Sequence, residues 1–203
     1  GGDRIYIAFV LGNSVYVFSA NQTGDTTTSL YFTQEVNSGA ASTGVVIVPY
    51  QGSDKVLVVY TRDEGGTAKD GVFSRVVTDG SGGTEVQISD YNSLPDFSSP
   101  VRISDTDFRI IIKPTGTSSM VEYKWDDSQW TLVATVDTEG DQENPSLFYD
   151  RITGDMHAFS VDTGSNRVER HYKPRNGSWL GQTELVADDN EGGTHSYPIT
   201  QMH

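Results

Sequence analysis

VEYK at Val121–Lys124, followed by Trp130, has a second copy 49 residues further on, ERHYK at Glu169–Lys173, followed by Trp179. In both copies the Tyr-Lys pair precedes its tryptophan by seven positions, and an acidic turn then leads to Pro145 or Pro198. A repeat of about 50 residues in a chain rich in β-branched and aromatic residues is typical of β-propeller blades. The sequence therefore predicts an all-β fold of antiparallel blades.

Short β-rich segments separated by Gly and Asp turns divide the chain into four units of four strands. The predicted blades comprise residues 44–98, 99–143 and 144–196, and a first blade made of 1–43 plus 197–203. The first unit lacks its first strand, so we expect the C-terminal strand to complete the N-terminal blade. We predict a single β-propeller domain over residues 1–203, and a four-blade segment of a larger propeller is the alternative.

The composition excludes several classes of partner. A formal net charge of −14 repels nucleic acid and anionic membrane surfaces. No apolar run approaches the roughly 20 residues that a membrane-spanning helix needs, and the lack of cysteine excludes disulfides and thiolate metal sites. The chain begins at Gly1 without a methionine, which suggests a processed or excised segment, and we expect an extracellular or cell-surface location.

The fourth unit has a distinctive order of turn residues. It begins at Pro145, turns through Asp and Gly at Asp150–Asp155, and closes its outer hairpin with Asn-Gly-Ser-Trp at Asn176–Trp179. In sialidase-like β-propellers a blade often begins with Pro, turns through Asp and Gly, and closes with Gly and Trp, so this unit resembles their repeats. The resemblance implies a propeller fold and carbohydrate-directed chemistry, although the family's Asp-box, Ser-x-Asp-x-Gly-x-x-Trp, is not intact here.

Acidic, Gly-containing loops follow the second and fourth strands of the predicted units. Ca²⁺ prefers six to eight oxygen ligands from flexible turns, so these loops are candidate calcium sites, with turn chemistry alone as the alternative. The candidate ligands are Asp137, Asp141, Glu143, Asp188, Asp189 and Glu191. His157, His171 and His195 all fall in the fourth unit, where a metal site is a further possibility and solvent-facing positions are the alternative.

Three residues are candidate ligand contacts. Trp125 has no counterpart in the second copy of the repeat, which suggests sugar stacking rather than packing between blades. The sialidase-like resemblance implies arginines that grip a substrate carboxylate, and Arg62 and Arg151 are the candidates. Asn21 and Asn176 begin Asn-x-Ser/Thr sequons and are candidate glycosylation sites, with chance occurrence as the alternative.

These observations favour a non-enzymatic extracellular or cell-surface propeller that binds a ligand or another protein, or assembles, with Ca²⁺ as a stabilising ion. One alternative is the propeller portion of a sialidase-like, carbohydrate-active enzyme. Another is a structural repeat of a surface layer or fibre that self-assembles. The expected partners are carbohydrate or another protein, without nucleic acid and without membrane insertion.

Overall fold

In the computed structural model the chain forms two compact units, Gly1–Pro95 (unit 1) and Asp96–His203 (unit 2). The residues that the structure describes are 4–12, 14–21, 28–35, 44–62, 70–78, 82–90, 95–114, 117, 119–138, 142–164 and 167–186. The predicted C-terminal strand at 197–203 lies outside them, so its place in the first blade stays a prediction.

Unit 1 contains two antiparallel sheets in its described part. Sheet 1 has the order β1 (Arg4–Leu11), β2 (Ser14–Asn21), β3 (Thr28–Glu35). Sheet 2 has the order β4 (Val45–Pro49), β5 (Val56–Arg62), β6 (Gly71–Val77), β7 (Val86–Asp90). Each strand pairs with its neighbour in sequence, as expected for a meander of hairpins.

Unit 2 also contains two antiparallel sheets in its described part. Sheet 3 is formed by β8 (Asp96–Phe97), β9 (Val101–Ser104), β10 (Asp107–Lys113), β11 (Met120–Trp125) and β12 (Trp130–Asp137). Sheet 4 is formed by β13 (Gln142–Tyr149), β14 (Met156–Asp162), β15 (Arg167–Lys173) and β16 (Leu180–Val186). No helix occurs among the described residues, and hence none that could cross a bilayer.

The all-β prediction is confirmed, but one short strand pairs outside the blade to which the sequence assigns it. β8 pairs with β10, ahead of β9 on the same edge, although its residues lie in the predicted second blade. Ser98 continues the ladder: its N–H donates to the Ile111 carbonyl at 2.9 Å, and its Oγ accepts from the Ile111 N–H at 3.0 Å. Two residues bounded by Pro95 and Pro100 carry too little pattern to be recognised as a strand.

The apolar core of each unit lies between its two sheets. In unit 1, Val15 and Val17 of sheet 1 pack with Val58 and Tyr60 of sheet 2. In unit 2, sheets 3 and 4 share a second cluster, which contains Ile111, Met120, Val136, Leu147, Met156 and Ala158. The alternation along the strands directs these side chains to one face of each sheet.

β1 carries apolar residues on both of its faces. Tyr6, Ala8 and Val10 pack against the unit 1 core, whereas the alternate residues Ile5, Ile7, Phe9 and Leu11 are exposed. The Phe9 ring stacks on Tyr16 and Phe18 of β2, at centroid distances of 5.5 and 5.7 Å. β1 therefore presents a row of exposed apolar side chains on the face of sheet 1 that points away from the unit 1 core.

The turn between β11 and β12 depends on Asp126. Its Oδ1 accepts hydrogen bonds from the Ser128 Oγ, the Gln129 N–H and the Ser128 N–H, at 2.7 to 2.9 Å. These bonds, led by the one from the Ser128 hydroxyl, favour the carboxylate and lower the pKa of Asp126 from 3.8 to about 2.

We expect an NMR titration to place the Asp126 carboxyl midpoint near 2. Because the folded pKa lies below the unfolded value, the stabilisation from this carboxylate is complete above pH 3.8 and is lost as the pH falls through about 2. Ser128→Ala removes the leading donor and should move the midpoint back towards 3.8. A wild-type midpoint close to 3.8 would contradict the hydrogen-bonded turn.

Candidate functional site

Polar side chains gather beside the apolar interface of sheets 3 and 4 in unit 2. Five residues form what we call the buried polar cluster: Asp137 at the end of β12, Gln142 at the start of β13, Ser160 in β14, and Glu169 and His171 in β15. All except Asp137, which is half-buried, are buried. A buried polar group is costly unless it is hydrogen-bonded, so such a cluster needs a structural or a functional reason.

Strand register brings the cluster together. Ser160 lies opposite Glu169, and Ala158 lies opposite His171, so Ser160, Glu169 and His171 project from one face of sheet 4. Gln142 lies opposite Asp162, two residues beyond Ser160, and therefore shares this face. Asp137 belongs to sheet 3, so the cluster joins the two sheets.

A chain of hydrogen bonds connects the members from sheet 4. The Gln142 Nε2 donates to Glu169 Oε2 at 2.9 Å, and the Ser160 hydroxyl donates to Gln142 Oε1. Because that hydroxyl has one proton, its 3.3 Å contact with His171 Nε2 requires the imidazole to be the donor. The network therefore places a proton on His171 Nε2.

Asp137, Glu169 and His171 are arranged as metal ligands would be. Each offers one ligand atom, and the three atoms lie within 4.8 Å of one another. The Thr138 N–H donates to Asp137 Oδ1 at 2.7 Å, and Gln142 holds Glu169. Two carboxylates and one imidazole, oriented by neighbouring hydrogen bonds, can bind a divalent cation.

A second polar network in unit 2 surrounds Glu122, whose side chain is fully buried. Its Oε1 accepts from Arg109 Nη1 at 2.5 Å, and its Oε2 accepts from Lys173 Nζ at 2.6 Å and from Trp179 Nε1 at 2.9 Å. The Lys173 ammonium also lies 5.6 Å from the centre of the Trp179 ring. Lys173 and Trp179 belong to the second copy of the repeat, and they form a clamp between sheets 3 and 4. In the first copy, Lys124 instead lies 3.6 Å from Asp107, and Trp130 packs against Trp125.

Unit 1 contains a partly exposed cluster around Glu85, which we call the Arg62–Glu85 cluster and which also includes Tyr60 and Arg75. Arg62 Nη1 donates to Glu85 Oε1 at 2.6 Å, and the Tyr60 hydroxyl donates to Glu85 Oε2. Arg75 Nε donates to the Tyr60 hydroxyl at 3.2 Å. Burial, followed by the hydrogen bond to Glu85, raises the pKa of the Tyr60 hydroxyl well above its ordinary value, so Tyr60 remains a neutral donor.

The predicted metal ligands have different surroundings. Asp137 lies in the buried polar cluster, whereas Glu143 is exposed on β13. The remaining predicted ligands lie outside the described residues: Asp141, Asp188, Asp189 and Glu191. The predicted acidic loops are therefore only partly described, and calcium binding there stays a prediction.

The predicted ligand contacts also differ in exposure. The Trp125 side chain is 3% exposed and packs at 5.5 Å against Trp130, which leaves no open face for a sugar. Arg62 belongs to the cluster in unit 1, and Arg151 is exposed in the Asp150–Asp155 turn of unit 2. Asn176 is exposed in a turn with φ of 61°. The side chain of Asn21 lies outside the described part, so neither sequon is tested.

Glu169, Gln142 and Ser160 are members of the cluster that the sequence does not indicate. The histidines carry a weak signal, but His157 and His171 stand at adjacent register positions and face opposite sides of sheet 4. His157 lies between the rings of Phe148 and Tyr172, and His195 lies outside the described residues. Alternation along β15 could have paired Glu169 with His171, since the two residues are separated by one position.

No protein-family model matches the sequence, and no curated protein sequence is similar to it. Solved structures are similar in fold. The fucose-specific lectin from Aleuria aurantia matches 96% of this chain at 14% identity with a TM-score of 0.61. The SapL1 lectin in complex with alpha methyl fucoside matches 91% of this chain at 13% identity with a TM-score of 0.58. An oligogalacturonate lyase in complex with manganese matches 90% of this chain at 10% identity with a TM-score of 0.55.

These likenesses show the fold, which is all-β and of the β-propeller type. The chain spans 60, 62 and 44% of the lengths of the Aleuria lectin, SapL1 and the lyase. The number of blades, the single-domain assignment and the narrower relation to sialidase-like repeats stay predictions.

Proposed function

We propose that this chain is a carbohydrate-binding β-propeller module without catalytic activity of its own. The observation that carries the proposal is the Arg62–Glu85 cluster, where two guanidinium groups and a carboxylate meet at a partly open surface. The Arg62 side chain is 12% exposed and the Glu85 and Arg75 side chains are each 21% exposed. The cluster therefore combines fixed geometry with access for a ligand.

The donors and acceptors of this cluster suit a sugar. A pyranose presents neighbouring hydroxyl groups that donate and accept, so one hydroxyl can donate to a carboxylate while the next accepts from a guanidinium. Glu85 and Arg62 form such an adjacent pair at 2.6 Å. The Phe73 ring lies 5.7 Å from the Arg62 guanidinium carbon and holds it in place.

The comparisons support the ligand class. Both lectins with this fold are named as fucose-specific or are bound to a fucoside. A binding role also agrees with the position of Arg62 at the end of β5. This position borders one of the acidic, Gly-containing loops that follow the second strands of the predicted units.

The proposal includes the extracellular or cell-surface location expected from the sequence. Calcium enters it as a stabilising ion of the acidic loops, with Asp141, Asp188, Asp189 and Glu191 as the ligands to examine. Protein partners and self-assembly are secondary to carbohydrate in this proposal.

Binding should be measured by calorimetry with a panel of methyl glycosides that includes alpha methyl fucoside. We expect Arg62→Lys and Glu85→Gln each to weaken the binding of the recognised glycoside roughly 10- to 100-fold, because each removes a hydrogen bond to a charged group. Arg102→Lys is the matched control: Arg102 pairs with Asp105 in unit 2 at 3.1 Å, outside the proposed site.

Unchanged affinity in both unit 1 variants would contradict the site. Loss of binding on replacing Arg151 instead would move the site to the Asp150–Asp155 turn. Circular dichroism of each variant separates a lost contact from a lost fold.

A further inference from the structure

We propose that Asp137, Glu169 and His171 bind a divalent transition-metal ion of the Zn²⁺ or Mn²⁺ class. This site lies in unit 2 and is independent of the proposed carbohydrate site in unit 1. It extends the sequence-based expectation of a metal at Asp137 but changes both the partners of Asp137 and the class of ion.

The donor set identifies the class of ion. Ca²⁺ takes oxygen ligands almost exclusively, whereas an imidazole nitrogen suits Zn²⁺ and other first-row transition metals. Zinc sites with an open coordination position commonly have three protein ligands, and the two carboxylates and the imidazole would supply that number.

The separations are close to those of a bound ion. The three ligand atoms lie within 4.8 Å of one another, so an ion at their centre would lie at most about 2.8 Å from each donor. Zn²⁺–N and Zn²⁺–O distances are about 2.0 to 2.2 Å, so each donor needs to move inwards by at most about 0.7 Å.

The surrounding hydrogen bonds resemble those of a metal site. Gln142 donates to one oxygen of Glu169 and so orients the carboxylate, and Ser160 accepts from the Nε2–H of His171. A neighbour that holds one ring nitrogen and so orients the imidazole is typical of metal-bound histidine. Both residues are buried, so the orientation is maintained.

The first copy of the internal repeat shows which residue types a blade can have at the positions of Glu169 and His171. When the two Tyr-Lys pairs are aligned, Glu169 and His171 correspond to Met120 and Glu122 of sheet 3. Those positions hold a core side chain and the centre of an ionic clamp. Packing of a blade therefore does not require Glu and His at these positions, and their presence in sheet 4 calls for another explanation.

The experiment uses the full chain, stripped with a chelator and titrated separately with ZnCl₂, MnCl₂ and CaCl₂. We expect one equivalent of Zn²⁺ or Mn²⁺ to bind by calorimetry and to raise the Tm, while Ca²⁺ produces no effect through this site. The isosteric variants Asp137→Asn and Glu169→Gln should each weaken binding at least about tenfold. Glu143→Gln removes the same charge from an exposed neighbouring position and should bind like the wild type.

Absence of stoichiometric Zn²⁺ or Mn²⁺ binding to the folded wild-type chain would overturn the proposal. Equal losses in Glu143→Gln and in the two cluster variants would also overturn it, because they would indicate diffuse attraction to an acidic surface. The titration of the wild-type chain remains a valid test of metal binding even if a cluster variant fails to fold. A failure here would leave the sugar-binding result unaffected, since that readout concerns unit 1.

Discussion

Replacing Glu122 with glutamine lowers the free energy of unfolding by about 3–5 kcal/mol, because the change removes one partner of a buried ionic network. Lys173 then keeps its charge without the carboxylate that accepts its hydrogen bond at 2.6 Å. Arg109 loses its 2.5 Å bond to Glu122 and retains its pair with Asp107. Trp179 loses a charged acceptor as well. Thermal unfolding should show a decrease in Tm of roughly 10 °C.

The matched control for this prediction is Asp105→Ala. Asp105 pairs with Arg102 at 3.1 Å, but its side chain is 45% exposed, and exposed ion pairs contribute about 0–1 kcal/mol. Similar losses in the two variants would show that burial of Glu122 has no special role. Asp105→Ala should instead unfold close to the wild-type temperature.

Replacing Gly83 with alanine destabilises unit 1 by about 3 kcal/mol, since two costs combine. Gly83 has a φ of +62°, where an L-residue costs about 1–2 kcal/mol. An added Cβ would also lie 2.1 Å from the Val76 carbonyl oxygen, so the backbone must shift. The carbonyl of Gly83 accepts from Arg75 Nη1 at 3.2 Å, so the shift should also weaken sugar binding at the Arg62–Glu85 cluster.

Gly52→Ala measures the cost of a positive φ without a steric clash. Gly52 has a similar φ of +65°, but nothing lies within 4 Å of the position that an added Cβ would occupy, so we expect a loss of about 1 kcal/mol. Chemical denaturation of the two variants measures the difference directly. Equal destabilisation would mean that the contact with Val76 relaxes without cost.

Much of the fold is predictable from the sequence because local patterns determine it. The alternation in β2 and β14 and the turn residues between strands indicate hairpins without long-range information. The 49-residue spacing of Tyr-Lys and Trp indicates a repeated unit. β8 is not predictable in this way, since it consists of two residues whose pairing depends on β10 and Ser98.

The candidate sites are less predictable because residues distant in sequence form them. Asp137 stands out as an acidic residue in a turn, but its partners Glu169 and His171 are more than 30 residues away and belong to another sheet. Trp125 illustrates the opposite difficulty: its lack of a repeat partner suggests a ligand contact, whereas pairing with Trp130 across a hairpin buries it. Exposure depends on tertiary packing, which spacing alone does not reveal.

The proposed carbohydrate site is tested most directly by an NMR titration of the ¹⁵N-labelled chain with the same panel of methyl glycosides. We predict that at least one glycoside causes saturable shifts in the signals of Arg62, Arg75 and Glu85, and that the Arg62→Lys variant weakens this response. A folded wild-type chain that shows no saturable shift with any member of the panel, or shifts confined to the Asp150–Asp155 turn, would contradict the assignment of the sugar site to unit 1.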